Sequence, residues 1–140
     1  MRAGGARNHR GNLSDWVMFK DNHLTALGIV EAVARARDTW PGRTVHVECE
    51  RLDQVVEALD AGADALLLDN MTPDEVRGCV AVADEHAART GTRRALLEVS
   101  GGITLDTVGA YAHTGVDVVS SGSLTNSAAV LDIGLDIDVR

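Results

Sequence analysis

Five short runs rich in Val, Leu and Ala recur along the chain, each followed by a segment with helical periodicity. This alternation constrains the fold more than any other feature. The runs are residues 15–20, 44–50, 64–69, 95–100 and 116–121. Helical patterns are expected near Thr25–Arg37, over Leu52–Ala61 (stopped by Gly62), from Thr72 to about Arg89, and over Thr104–His113. Thr72-Pro73-Asp74-Glu75 has the residues of a helix N-terminus, with Thr72 as cap, Pro73 at the first helical position and Glu75 closing a capping box. Pro41-Gly42 signals a turn. The tail, Val130 to Val139, is compatible with a strand or with an irregular cover. Short strands alternating with helices define the α/β class and parallel βαβ units.

The second strand helps choose the architecture. In Val45-His46-Val47-Glu48-Cys49-Glu50, a period of two places His46, Glu48 and Glu50 on one face. A doubly wound sheet would have to pack helices on that polar face. A barrel lets it point into a wet mouth, so a partial parallel (β/α) barrel is expected. A complete eight-stranded barrel takes about 250 residues; 140 residues supply part of one.

The net charge of −8 argues against general affinity for nucleic acid. It is unevenly spread. Residues 1–23 carry Arg2, Arg7, Arg10 and Lys20 against Asp15 and Asp21, a balance of +2 that leaves −10 for the rest. A basic segment in an acidic chain points to a local site for a small anion. Lys20 is the only lysine among thirteen Lys and Arg residues. The apolar runs are too short to cross a bilayer, and the first residues lack the apolar stretch of a signal peptide, so a cytoplasmic location is expected. Cys49 and Cys79 lack CxxC spacing and are expected to be buried, reduced thiols.

Five polar groups stand at loops or strand ends. Gly4-Gly5-Ala6-Arg7-Asn8-His9-Arg10, with Leu13-Ser14-Asp15 behind it, offers His9 and Arg10 as donors to a carboxylate or phosphate. Spacing alone favours a solvated basic loop. Lys20-Asp21-Asn22-His23 follows a strand, where barrel chemistry sits, and also suits a helix cap. Glu48 and Asp69 end neighbouring strands and can hold Mg²⁺ or ribose hydroxyls, or belong to an ion-pair network. Ser100-Gly101-Gly102 and Ser121-Gly122-Ser123 each follow a strand. Their backbone amides, with a following helix N-terminus, can cradle a phosphate, or their glycines can be turn residues. The remaining histidines (His46, His86, His113), Trp16 and Trp40 are expected to pack or to lie on the surface.

Together these strings resemble quinolinate phosphoribosyltransferase. The family's GGGxNHR, LSD and KDNH strings are similar to Gly4–Arg10, Leu13–Asp15 and Lys20–His23. Its VEVE-like strand matches Val45–Glu48, its LLDNM Leu67–Met71, and its ESGGI-like string Glu98–Ile103 with Val99 before the serine. TGVDxxSxGxLTxS matches Thr114–Ser127, and LDIGLDI is Leu131–Ile137. The resemblance implies that residues 1–140 are the C-terminal part of a TIM-like barrel domain, without the family's N-terminal domain and first barrel strands. It also implies a start upstream of Met1, visible as an in-frame extension.

The reaction it implies joins quinolinate to phosphoribosyl pyrophosphate with Mg²⁺, giving nicotinate mononucleotide, pyrophosphate and CO₂ in NAD biosynthesis. His9, Arg10 and Lys20 would bind quinolinate carboxylates or the pyrophosphate donor. Glu48 and Asp69 would hold the ribose and metal, with Lys20, Glu48 and Asp69 nearest the chemistry. Ser100, Gly101, Gly102, Ser121, Gly122 and Ser123 would hold the 5′-phosphate. Family members are dimers in which one subunit's N-terminal domain completes the other's site, so this chain alone is expected to be inactive. Ala6 replaces a family glycine, Gly11-Asn12 departs from the residues usual before the leucine, and Asn126 stands where His is usual. Asn126 can donate to a phosphate but cannot carry charge. Two alternatives remain at this level: the pyrophosphorylase-like paralogue associated with molybdate transport, and a non-catalytic assembly module.

Overall fold

The computed structural model describes residues 2–137. After a 3-10 turn over Arg2–Gly4, the elements run β1 (Val17–Phe19), α1 (Asp21–Leu27), α2 (Ile29–Thr39), β2 (Val45–Cys49), α3 (Leu52–Asp60) and β3 (Ala65–Asp69). Then come α4 (Pro73–Thr90), β4 (Leu96–Ser100), α5 (Val108–Ala112), β5 (Val118–Val119) and α6 (Ser123–Asn126).

All five strands are parallel and lie in the order β1-β2-β3-β4-β5. That order never reverses. Right-handed crossovers taken always in one direction stack the helices on a single face. Doubly wound folds need a reversal to cover both faces. The uncovered face is therefore the inside of an incomplete barrel.

The two faces differ as the alternation requires. Val45, Val47 and Cys49 of β2, Leu66 and Leu68 of β3, and Leu97 and Val99 of β4 are buried in one apolar cluster with the helices. Ile29, Val33 and Ala36 of α2, Val55, Ala58 and Leu59 of α3, and Val76, Cys79 and Ala83 of α4 complete it. Burying each large aliphatic side chain contributes about 1.5–3 kcal/mol. The opposite face carries His46, Glu48, Leu67, Glu98 and Ser120. Register aligns Glu48 with Leu67 and Leu67 with Glu98.

Two strand entrances share one device. Asp64, just before β3, accepts from the Val45 amide at 2.7 Å and pairs with Arg37 at 2.8 Å. Asp117, just before β5, accepts from the Leu97 amide at 2.8 Å and from Arg94 at 2.7 Å. In each case a carboxylate stitches its strand to the preceding one, held by an arginine from the preceding βα unit. Gly62-Ala63-Asp64-Ala65 and Gly115-Val116-Asp117-Val118 are the matching strings.

The expected helix at Thr25–Arg37 is two helices, α1 and α2, broken at Gly28 with φ 72° and ψ 161°. Strands β1 and β5 are shorter than the runs 15–20 and 116–121, because both are edges with one neighbour each. The Thr72–Glu75 capping box forms as read, with the Thr72 amide donating to Glu75 Oε2 at 2.7 Å. Helix α5 begins only at Val108, after a turn over Thr104–Thr107, so no helix N-terminus directly follows Ser100-Gly101-Gly102. Residues 130–137 are irregular and exposed, an irregular segment rather than a strand; Asp138 and Val139 lie outside the described residues. Cys49 and Cys79 are free and buried, and burial pushes their thiols up to about 12 and about 11.

Candidate active site

The uncovered face of the sheet and the N-terminal loop enclose an open hollow of about 1560 Å³. His9, Arg10, Lys20, Ser100, Ser121 and Gly122 reach its wall, so four separate segments of the chain meet around one space.

Lys20 follows β1 directly and is the N-cap of α1. Its amide is held by His23 Nδ1 at 3.1 Å. Neither Asp21 nor Asn22 is the cap, as the sequence had allowed; the helix starts one residue earlier than their capping would place it. From this strand end the Lys20 ammonium reaches Glu48 Oε1 at 2.9 Å, and the Asp21 amide donates to Glu48 Oε2 at 3.4 Å. Glu48 is 8% exposed and Lys20 49%. The carboxylate is thus buried beneath an ammonium that also borders the hollow. Glu48 itself does not line the hollow.

Asp69 ends β3 on the same face as Glu48, two positions beyond Leu67, the register partner of Glu48. Burial and the nearby Glu48 carboxylate raise its pKa above the ordinary value, and the Lys20 ammonium opposes that rise. Its Oδ2 accepts from the Asn70 side chain at 2.6 Å. Lys20, Glu48 and Asp69 therefore form one electrostatic cluster at the C-terminal ends of adjacent strands. Glu50 adds to the field on Asp69 but is not buried with Glu48. It lies past the end of β2, exposed, where its amide donates to Gln54 at 2.8 Å, because the strand stops at Cys49.

The two serine-glycine loops are also neighbours. Ser121 Oγ donates to the Ile103 carbonyl at 2.5 Å and shares a 2.7 Å hydroxyl contact with Ser123. The first loop is fixed by its packing. Asn70 stands at φ 55°, donates its amide to the Ser100 carbonyl at 3.0 Å, and fills the space where a side chain at position 101 would go. A Cβ on Gly101 would lie 2.3 Å from Asn70 Oδ1, so only glycine fits. Asn126, in α6, covers the second loop, since a Cβ on Gly122 would sit 3.3 Å from its Nδ2.

Deeper in the hollow lies a group the sequence reading did not assemble. His9 Nε2 is 2.9 Å from Glu98 Oε2, and His46 Nε2 is 3.6 Å from the same oxygen. The Ser120 hydroxyl donates to Glu98 Oε1. Trp16 meets both rings edge-on, at 5.0 Å from His9 and 5.8 Å from His46. Burial lowers the proton affinity of His46, with Glu98 opposing and His9 adding to the fall. Glu98 was legible only as part of a string. Its position two residues before Ser100 was the available signal, since a period of two puts both on one face. His86 pairs with Asp60 at 3.2 Å, while His113 and Trp40 are exposed, as the sequence reading placed them.

A one-directional parallel sheet with helices on one face and polar side chains at its strand ends defines a partial (β/α) barrel. The chain belongs to the quinolinate phosphoribosyl transferase C-terminal domain family, whose model matches residues 1–136. It is 44% identical, over 98% of its length, to a probable nicotinate-nucleotide pyrophosphorylase (carboxylating) of Methanothermobacter thermautotrophicus, covering 49% of that protein. It is 40% identical to the human nicotinate-nucleotide pyrophosphorylase (carboxylating), over 96% of this chain and 44% of that one. The solved nicotinate-nucleotide pyrophosphorylase of Ehrlichia chaffeensis superposes with a TM-score of 0.84 at 38% identity, over 96% of this chain and 47% of that chain. The chain spans about half the length of the curated relatives it matches. Among the described residues, no helix is long and apolar enough to cross a membrane.

Proposed function

We propose that the whole protein transfers the phosphoribosyl group of phosphoribosyl pyrophosphate to quinolinate with loss of CO₂, and that this chain carries the C-terminal half of its barrel. The observation that carries this reading is the contact of Lys20 with Glu48, beside Asp69, on the rim that also bears both serine-glycine loops.

In this reading the quinolinate nitrogen attacks C1 of the ribose as pyrophosphate leaves, and the ring C2 carboxylate departs as CO₂, the bonding pair left on C2 taking up a proton from water. Positive charge develops at C1, and the Glu48 and Asp69 carboxylates lower its energy. His9, Arg10 and the hollow-facing side of the Lys20 ammonium pin the quinolinate carboxylates or the donor's pyrophosphate. Holding both carboxylates fixes which ring carbon loses CO₂. Amides and hydroxyls of Ser100-Gly101-Gly102 and Ser121-Gly122-Ser123 take the 5′-phosphate, with Asn126 as a neutral donor. Such prepositioning replaces the entropy cost of bringing two anions together.

Glu48 and Asp69 also suit Mg²⁺. They offer hard oxygen donors, and Asp69 is held in a field that favours an added positive charge. When bound, the ion would offset the charge of the leaving pyrophosphate.

The exposed edges at β1 and β5 leave room for the remaining barrel strands, and a second subunit would supply an N-terminal domain, as the family's dimers do. The test is product formation from quinolinate, phosphoribosyl pyrophosphate and Mg²⁺. We expect none from this chain alone. Fused to the N-terminal portion of the Bacillus subtilis relative, it should make nicotinate mononucleotide and CO₂, and Lys20→Ala should reduce that by orders of magnitude. A folded fusion that binds neither substrate would overturn the proposal.

A further inference from the structure

We propose that His9, His46 and Glu98 form a binding site for a late divalent transition-metal ion, Zn²⁺ by the chemistry of its donors, on the wall of the hollow. The site is separate from the oxygen-only pair Glu48 and Asp69 but shares His9 with the substrate-binding set proposed above; it rests on donor geometry and not on that reaction.

Three segments bring the donors together: the N-terminal loop, β2 and β4. One ring nitrogen from each histidine and a Glu98 carboxylate oxygen lie within 4.8 Å of one another. Donors 2.0–2.1 Å from a tetrahedral zinc are about 3.3 Å apart along each edge. The two measured contacts to Glu98 Oε2, 2.9 Å and 3.6 Å, straddle that value.

The second observation is an orphan. His46 is 2% exposed, and its Nε2 has no hydrogen-bond partner among the described residues. A buried polar atom without a partner is costly, and buried polar atoms are nearly always satisfied. Glu98 does not satisfy it, since at 3.6 Å its Oε2 lies beyond hydrogen-bonding distance. An ion between the three would take the imidazole lone pair of each ring and one carboxylate oxygen. The hydroxyl of Ser120, on the other oxygen of Glu98, fixes the carboxylate so that Oε2 faces both rings.

Donor type sets the class of ion. Two imidazoles and one carboxylate suit zinc and its late first-row neighbours, whereas Mg²⁺ prefers oxygen alone. His9 is a third exposed, so the site can load from the hollow and keep a coordination position open to it.

Trp16, against both imidazoles, supplies a local reporter; Trp40, the other tryptophan, is on the exposed surface after α2. The experiment is titration of the metal-free chain with Co²⁺, read by visible absorption and by tryptophan fluorescence, followed by displacement with Zn²⁺. The expected result is one ion per chain, an absorption of four- or five-coordinate intensity, and quenching of Trp16 that disappears in Trp16→Phe. Ser120→Ala should weaken binding about tenfold, as loss of a carboxylate's supporting hydrogen bond does. His9→Ala, on the exposed loop where folding is not at risk, should weaken it more, as should His46→Gln. Glu48→Gln should leave it unchanged. No such absorption, or one that His9→Ala leaves intact, sinks the site; so does binding that Glu48→Gln abolishes.

Discussion

Lys20 Nζ lies 2.9 Å from Glu48 Oε1, joining the end of β1 to the inner face of β2 across 28 residues of sequence. The lysine is half exposed and the glutamate nearly buried, so the two ends of the pair feel different solvents. Exposure of the ammonium limits what the contact contributes. A double-mutant cycle with Lys20→Met and Glu48→Gln should give a coupling of about 1 kcal/mol in urea unfolding. A value of zero would mean that water, not Lys20, compensates the carboxylate.

Asp69 gives a pH signature. Its folded-state proton affinity is raised above the ordinary 3.8, so the ionised form is disfavoured by folding. Above the folded value the carboxylate therefore costs stability; below 3.8 both states are protonated and the cost is gone. Without divalent cations, Asp69→Asn should melt higher than the parent at neutral pH. The gap should close as pH falls through the carboxylate range. A gap that stays constant with pH would show that the gain is not electrostatic.

Gly101→Ala should fail for two reasons at once. The residue stands at φ 94°, and its new Cβ would meet both the Asn70 side chain and the Asn70 backbone nitrogen. Backbone strain alone costs at least about 1 kcal/mol. The loss should appear as a lowered melting temperature, with Asn70 amide resonances displaced. Gly4→Ala, where a Cβ would meet nothing, is the neutral comparison.

The paired strand-entrance aspartates should be equivalent. Asp117→Ala leaves the Leu97 amide and Arg94 without their shared acceptor, and Asp64→Ala does the same to Val45 and Arg37. Each should cost about 1–3 kcal/mol of stability by chemical denaturation. A smaller loss at Asp117 would show that Asp84, which also pairs with Arg94, compensates there.

Much of this was legible in the chain. The order of strands and helices followed from hydrophobic period and from the Thr72-Pro73-Glu75 cap, both local properties. The inward face of Glu48 followed from counting by twos along its strand, and the positions of Lys20 and Asp69 from where their apolar runs stop. The Gly28 break and the late start of α5 were not legible, because a lone glycine or a short Thr-rich turn is compatible with a continued helix until packing decides.

The sequence by itself determined which residues form strands, which face each side chain takes, and which family the motifs belong to, since these depend on neighbours a few positions apart. Only the tertiary structure decided that the sheet winds in one direction, that Asn70 holds Gly101, and that His9, His46 and Glu98 converge on one oxygen. Those are contacts between segments tens of residues apart. Their geometry is set by register and crossover handedness, which no local pattern encodes.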